Sequence, residues 1–304
     1  MADYALKLFS PHDVYDRNET AILDWNDFPV RFLAQGDSWF SIGAMPPWAT
    51  SSLLSQIVLG FSASAVNCAY PGRLLSHMVE WRQDTGFSNL LTGKFAFQWS
   101  GILLSGGGND LIAAAAVLPC NADGTPIAAD RRLLLKPSEW GSSELGPARY
   151  ISDAGWATFA AHLPAQFEAV ITLRDTDINK NVPLFCHSYD YLLPRDAPAS
   201  KLFHMGPWLY PAFVAYQIPA ADWFGVVKEL IDRLAGLLRS TIDGIYAGGG
   251  KRVYLVDSRN VLTAAQPGSK GESEDWENEI HPTAGGYKKL AALWRPVIES
   301  QIAS

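Results

Sequence analysis

Short apolar runs recur along this chain, and each ends in a turn that is followed by a helix-like stretch. Five of these runs are predicted to be strands, at residues 28–35, 62–69, 95–104, 182–186 and 252–256. Helices are predicted between and after these strands, at residues 48–59, 74–83, 111–118, 152–174, 221–245 and 283–302, and residues 221–245 most clearly carry apolar side chains at intervals of three and four. Strands that alternate with helices pair in parallel, and helices then cover both faces of the sheet. The sequence therefore predicts an α/β fold of three layers, α/β/α, around a mainly parallel five-stranded sheet.

The length of 304 residues and the hydrophobic content of 48% favour a single domain, residues 1–304, with a substantial core. Two segments interrupt the alternation and are predicted to be insertions, near residues 117–150 and 190–220. The first is rich in Gly, Pro and polar residues and is long enough to form a lid. The second interleaves prolines with aromatic residues, which would either wall an apolar pocket or cover the sheet.

The charge balance and the cysteine content exclude several classes of function. A net charge of -7 leaves no basic excess to hold phosphates, so neither nucleic acid nor an anionic membrane is an expected partner. Three cysteines, Cys68, Cys120 and Cys186, are too few for a disulfide framework or a zinc site, and no metal or organic cofactor is expected.

The beginning of the chain carries no recognisable targeting signal. Residues 1–24 lack the basic flank and the uninterrupted apolar core of a secretion signal, and no later run approaches the length of a membrane span. A cytoplasmic protein is therefore expected, although a secreted protein whose signal had been removed would read the same way.

The first predicted strand ends at Gly36-Asp37-Ser38, and a helical stretch follows. A serine at the carboxyl end of a parallel strand exposes its Oγ where open α/β folds place their active sites, which makes Ser38 the leading nucleophile candidate. Gly-Asp-Ser is also a common turn tripeptide, so the motif alone is weak. Two later stretches in the expected order, Gly107-Gly108-Asn109-Asp110 and His281-Pro282-Thr283, strengthen the interpretation.

Together these stretches resemble the four sequence blocks of the SGNH hydrolases, also called the GDSL esterase/lipase family. The resemblance runs from the first strand to the last helix, and its blocks are Gly36-Asp37-Ser38, Gly72, Gly107-Gly108-Asn109-Asp110 and the segment before His281-Pro282. It implies a flavodoxin-like fold with Ser38 as the nucleophile and His281 as the base. It also implies an oxyanion hole made by the backbone N–H groups of Ser38 and Gly72 and the side-chain amide of Asn109.

The chemistry of these residue types supports the same roles. A serine hydroxyl is a poor nucleophile at neutral pH and needs a base such as His281 to take its proton. The amide of Asn109 is a neutral donor, which suits a developing negative charge, although it could instead cap the following helix. Gly72 would let a substrate oxygen approach a backbone donor, or could be an ordinary turn glycine. Asp37 and Asp110 are expected to do structural work.

The sequence departs from the family at Asn278, where the family usually has an aspartate three residues before the histidine. An Asn oxygen can still accept the Nδ1 hydrogen of His281, but it carries no compensating charge. Asp275 or Asp257 could orient the ring instead if the loop folds back, so the third member of the site stays open at this point.

The sequence thus predicts a serine hydrolase, most simply a carboxylesterase, that forms an acyl-enzyme on Ser38. Its substrate would be a small-molecule, glycan or lipid ester, and the motifs do not select among these or indicate the oligomeric state. A non-catalytic carbohydrate-binding or interaction module on the same fold is the alternative, and the missing aspartate is its main support. Nucleotide binding is set aside. The chain has glycine triplets at Gly106-Gly107-Gly108 and Gly248-Gly249-Gly250, and neither continues into a phosphate-binding motif.

Overall fold

Six parallel strands form the central sheet of the protein. The structure is a computed structural model, and it describes residues 2–15, 24–41, 51–80, 85–200, 202, 205–249 and 252–302. The strands are β1 (Tyr4–Ala5), β2 (Lys7–Phe9), β3 (Val30–Gly36), β4 (Val58–Leu59), β5 (Ala63–Asn67), β6 (Gly101–Ser105), β7 (Leu184–His187) and β8 (Val253–Val256). The α-helices are α1 (Pro11–Tyr15), α2 (Ser38–Ser41), α3 (Leu75–Val79), α4 (Thr85–Leu91), α5 (Gly108–Ala115), α6 (Asp153–Arg174), α7 (Tyr210–Ala215), α8 (Trp223–Ala247) and α9 (Ala284–Ile302).

The order of strands across the sheet is β2-β5-β3-β6-β7-β8, and every neighbouring pair is parallel. Without the edge strand β2, this is the flavodoxin-like order in which the second strand lies beside the first and the later strands follow on the other side. The strand order reverses between β3 and β6. In folds of this kind, ligands bind outside the carboxyl ends of the strands at that reversal.

The prediction of five strands is corrected to six because residues 7–9 add an edge strand beside β5. This strand has only three residues and is largely exposed, with Leu8 at 37%. A half-exposed three-residue strand has no apolar run to mark it in the sequence. The short pair β1 and β4 forms a separate antiparallel ribbon.

The helical prediction for residues 48–59 is wrong over the residues that the structure describes. Residues 51–59 contain one short 3-10 turn, Leu54–Gln56, and then β4. Residues 48–50 and the preceding Pro46-Pro47 lie outside the described residues. The apolar side chains of Leu53, Leu54 and Ile57 are fully buried, but in an irregular segment.

Helices cover both faces of the sheet and complete the three-layer architecture. On one side α3, α4, α6 and α8 pack together, while α9 carries Trp294 against Phe40 and His187. The predicted helices at 152–174, 221–245 and 283–302 correspond to α6, α8 and α9. No helix in the described ranges is both long enough and apolar enough to cross a membrane. The single-domain organisation with two insertions stays a prediction.

Candidate active site

The two central strands bring the predicted nucleophile and the predicted amide donor to the same edge of the sheet. β3 and β6 pair through to their last residues, Gly36 and Ser105. Ser38 begins helix α2 just beyond the first strand end, and Asn109 lies in the first turn of α5 just beyond the second. Both residues line one cavity at the point where the strand order reverses.

His281 reaches Ser38 from a loop near the end of the chain. Its Nε2 atom lies 2.8 Å from Ser38 Oγ, and its Nδ1 atom lies 3.0 Å from Asn278 Oδ1. The same Asn278 oxygen accepts the backbone N–H groups of Ile280 at 3.1 Å and His281 at 3.0 Å. Two backbone donors identify this atom as the amide oxygen, so Nδ1 of His281 must carry the ring hydrogen. Nε2 is then free to accept the hydroxyl proton of Ser38.

The histidine is buried and held in its neutral form. Only 5% of His281 is exposed, and burial lowers the pKa of its imidazole to about 4. At neutral pH the ring therefore holds a lone pair toward Ser38, as a general base must. Asn278 orients the ring without contributing a charge.

Aromatic side chains hold the loop that carries His281, called the histidine loop below, against helix α2. The indole Nε1 of Trp39, the residue after Ser38, donates to the carbonyl of Ile280 at 3.1 Å. The ring of Trp208 stands edge-on to His281, with ring centroids 5.4 Å apart and an interplanar angle of 88°. The Trp39 hydrogen bond ties helix α2 to the loop, and Trp208 packs against His281.

Asn109 and Asp110 both reach across to the loop that carries Gly72. The Asn109 amide donates to the carbonyl of Arg73 at 3.1 Å, and the Asp110 carboxylate accepts the backbone N–H of Leu75 at 3.1 Å. Asn109 has a second amide hydrogen that this contact does not use. Gly72 is exposed with a φ of +77°, a conformation that favours glycine, and open space surrounds the position of its missing side chain. Gly72 does not line the cavity of Ser38 and Asn109.

The two carboxylates that the sequence offered as alternatives to Asn278 have other partners. Asp275 accepts hydrogen bonds from Lys289 Nζ at 2.6 and 2.8 Å. Asp257 bonds Arg259 at 2.7 and 2.8 Å, and these hydrogen bonds lower the pKa of Asp257 to about 2. The structure brings Asn278, and neither of these carboxylates, to the Nδ1 side of His281.

A network of buried polar side chains lies next to Ser38. The Asp37 carboxylate, 2% exposed, accepts the Tyr189 hydroxyl at 2.5 Å, the Ser105 hydroxyl at 2.8 Å and the Trp39 backbone N–H at 3.0 Å. Ser105 in turn lies 2.9 Å from His187 Nε2. Burial raises the pKa of Asp37 to about 6 and lowers the pKa of His187 to about 3. Ser105 and residues 187–189 lie at strand ends, which was the only sequence signal for this network.

A second carboxylate, Glu279, joins the histidine loop to the aromatic-rich segment near residues 190–220. It accepts the backbone N–H groups of Trp208, Leu209 (3.0 Å) and Tyr210 (2.7 Å), and that of Arg195 (3.3 Å). Burial raises the pKa of Glu279 to about 7. No local pattern marks this role, because the partners lie about 70–84 positions away in the sequence.

The buried guanidinium of Arg195 stabilises the same loop from its other side. It donates to the backbone carbonyls of Asn278 at 2.6 Å and Trp276 at 3.3 Å, and also to Gly271. Only 1% of Arg195 is exposed. Three carbonyls of an irregular loop are thus satisfied by one side chain. Within the described ranges, no three His, Cys, Asp or Glu side chains group as metal ligands would.

Comparisons with known proteins found similar chains only among solved structures. No family model matches this chain, and no curated protein matches it. A carbohydrate acetylesterase family member from Sinorhizobium meliloti is 14% identical, with a TM-score of 0.48 over 90% of this chain and 100% of that one. An extracellular lipase from Streptomyces rimosus is 16% identical, with a TM-score of 0.47 over 90% and 99%. An acetylxylan esterase from Geobacillus stearothermophilus is 10% identical, with a TM-score of 0.41 over 91% and 95%.

Proposed function

We propose that the protein is a serine ester hydrolase in which Ser38 is the nucleophile and His281 the general base. The observation that carries this proposal is the 2.8 Å contact between Ser38 Oγ and a neutral His281 Nε2 at the wall of a cavity. A serine hydroxyl held by an acceptor imidazole is what nucleophilic attack on a carbonyl requires. The resemblance to the SGNH hydrolases in the sequence supports the same roles.

The reaction proceeds in two halves. Ser38 Oγ attacks the ester carbonyl carbon while His281 Nε2 takes the hydroxyl proton, and a tetrahedral oxyanion forms. The bond to the alcohol oxygen then breaks, and His281 gives its proton to that oxygen, which leaves an acyl group on Ser38. Water attacks the acyl-enzyme with His281 again as base, and the carboxylic acid and free Ser38 are released.

The oxyanion would be stabilised by the second amide hydrogen of Asn109 and by the backbone N–H group of Ser38, whereas a part for Gly72 stays a prediction because Gly72 does not line their cavity. Ser38 is the first residue of α2, so its N–H has no acceptor within the helix. Asn109 supplies a donor that needs no proton transfer. Asn278 acts as a positioning residue that fixes the tautomer of His281.

We expect Ser38→Ala to abolish the reaction, because the hydroxyl is the atom that becomes acylated. The purified protein and the variant are compared on p-nitrophenyl acetate and butyrate, and each is treated with a fluorophosphonate probe. A loss of at least about a thousandfold in turnover is expected, together with loss of covalent labelling. Ser240→Ala, which removes an exposed hydroxyl on α8, serves as the matched control and should retain both signals.

Turnover or labelling that survives in Ser38→Ala would overturn the proposal. A protein that binds carbohydrate but is neither labelled by the probe nor active on any ester would instead fit the non-catalytic module. The same assays on His281→Ala, with the exposed His162→Ala as control, test the base separately.

A further inference from the structure

The cavity beside Ser38 is narrow, partly open to solvent and almost entirely apolar. Its volume is about 30 Å³, which corresponds to about two water-sized positions. It lies between α5 and α8 and beneath the 190–220 segment. The apolar side chains that line it are those of Leu111, Ala115, Leu192, Leu209, Val227, Leu230 and Ile231, which are between 1% and 5% exposed.

Apart from Ser38 and Asn109, the polar groups in the wall are already satisfied within the protein. Asp190 accepts four backbone N–H groups, from Tyr191 and residues 260–262, at 2.7–2.9 Å. The Tyr189 hydroxyl is committed to Asp37, whose carboxylate has three donors. A hydroxyl or amino group carried into this cavity would find few free partners, and a carboxylate would meet two acidic side chains. Burying an unpaired polar group is costly, so the wall excludes polar ligands.

The narrow, apolar form of the cavity suits the acyl group better than the alcohol. The alcohol must leave after the first half of the reaction, whereas the acyl group stays bonded to Ser38 until water attacks. A narrow apolar space beside Ser38 can therefore hold the part of the substrate that does not leave. We propose that this cavity binds the acyl chain and selects short, unsubstituted alkyl chains up to about butyryl; the proposal rests on the ester hydrolase function proposed above.

Chain-length dependence tests the proposal directly. The protein is assayed on p-nitrophenyl acetate, butyrate, 3-hydroxybutyrate and octanoate, which share one leaving group. Between acetate and butyrate, kcat/KM should rise about tenfold because two methylene groups are buried. It should fall at least tenfold from butyrate to octanoate and at least tenfold from butyrate to 3-hydroxybutyrate, whose hydroxyl would be buried without a partner.

Substitutions on α5 and α8 test whether the cavity wall determines the preference for acyl chain length. Ala115→Leu extends a side chain into the cavity, so the butyrate to acetate ratio of kcat/KM should fall at least tenfold. Ala113→Leu, the same change at an exposed position of the same helix, should leave the ratio unchanged. Leu230→Ala enlarges the cavity from α8 and should shift the preference toward octanoate, which keeps the test decisive if Ala115→Leu does not fold.

Failure of this proposal is distinguishable from failure of the proposed function. Ser38-dependent turnover that is equal for all chain lengths, or greatest for octanoate, would overturn the acyl assignment and leave the hydrolase intact. An unchanged ratio in both Ala115→Leu and Leu230→Ala would do the same. Absence of Ser38-dependent labelling and turnover would overturn both.

Discussion

Asn278 gives the proposed base a fixed orientation without a fixed counter-charge. Its amide oxygen accepts three N–H groups, two from the backbone and one from the imidazole of His281. An aspartate at this position could accept the same three groups and would also stabilise the imidazolium formed during attack. Burial lowers the resting pKa of His281, and the neutral amide supplies no charge that would raise it or stabilise the charged form.

We expect Asn278→Asp to raise the pKa of His281 and to increase kcat/KM on the pH-independent plateau of its pH profile. The base works only when deprotonated, so the acidic limb of kcat/KM should lie near pH 4 in the parent and move upward by about 1–3 pH units in the variant. The measurement is kcat/KM for p-nitrophenyl butyrate between pH 3.5 and 9. Superimposable profiles would show that residue 278 does not interact with the base.

The buried carboxylate of Glu279 holds the histidine loop to the aromatic-rich segment near residues 190–220. This carboxylate joins stretches that have little regular secondary structure, residues 257–283 on one side and residues 188–200 and 205–209 on the other. The carboxylate accepts the N–H groups of Trp208, which packs on His281, and of Leu209, which lines the cavity beside Ser38. One buried side chain thus couples the position of the proposed base to the shape of the cavity.

The ionisation of Glu279 should make stability depend on pH. Burial raises its folded pKa from 4.5 to about 7, so its protonated form favours the folded state; this contribution is full below about pH 4.5 and is lost as pH rises through 7. Glu279→Gln cannot ionise, so the Tm advantage of the parent over the variant should shrink as pH rises from 5 to 8. A Tm difference that is constant across pH 5, 6, 7 and 8 would contradict this.

The edge strand β2 extends a sheet whose other five strands carry the proposed site. Ser38 and Asn109 follow β3 and β6, while β2 pairs with the outer strand β5. Removing residues 2–10 would leave β5 as the edge and would also delete the ion pair of Asp3 with Arg295.

We therefore expect removal of residues 2–10 to lower Tm without destroying the site in molecules that fold. The check is fluorophosphonate labelling of Ser38, normalised to the folded fraction from circular dichroism. A variant with the parent's circular dichroism spectrum but no labelling would contradict the expectation, because the edge strand would then contribute to the site.

The sequence could predict those parts of the fold that depend on patterns among neighbouring residues. Buried parallel strands are largely apolar runs, so β3, β5, β6, β7 and β8 could be predicted, although the predicted strand at residues 95–104 begins six residues before β6. Ser38 and His281 lie in turns whose place in the strand and helix series suggested their meeting. The sheet edge β2 was too short and exposed to leave a pattern.

Buried polar contacts could not be predicted because their partners are distant in the sequence. Asp37 meets Tyr189 across 152 positions, and Glu279 meets Leu209 across 70. Only the folded arrangement shows that these charged or polar side chains are buried and not solvated. The cavity walls are equally non-local, since α5 and α8 are separated by more than a hundred residues.

The contacts that fix His281 imply an order of events during folding. Trp39 meets the Ile280 carbonyl across 241 positions, and Arg195 meets the Asn278 carbonyl across 83. Closing such long loops costs chain entropy that is repaid only after both partners are in place. The turn of Ser38 can form when β3 pairs with its neighbours, whereas the base must wait for the last third of the chain. We therefore expect Ser38 to be positioned early in folding and to meet His281 late, when the fold is nearly complete.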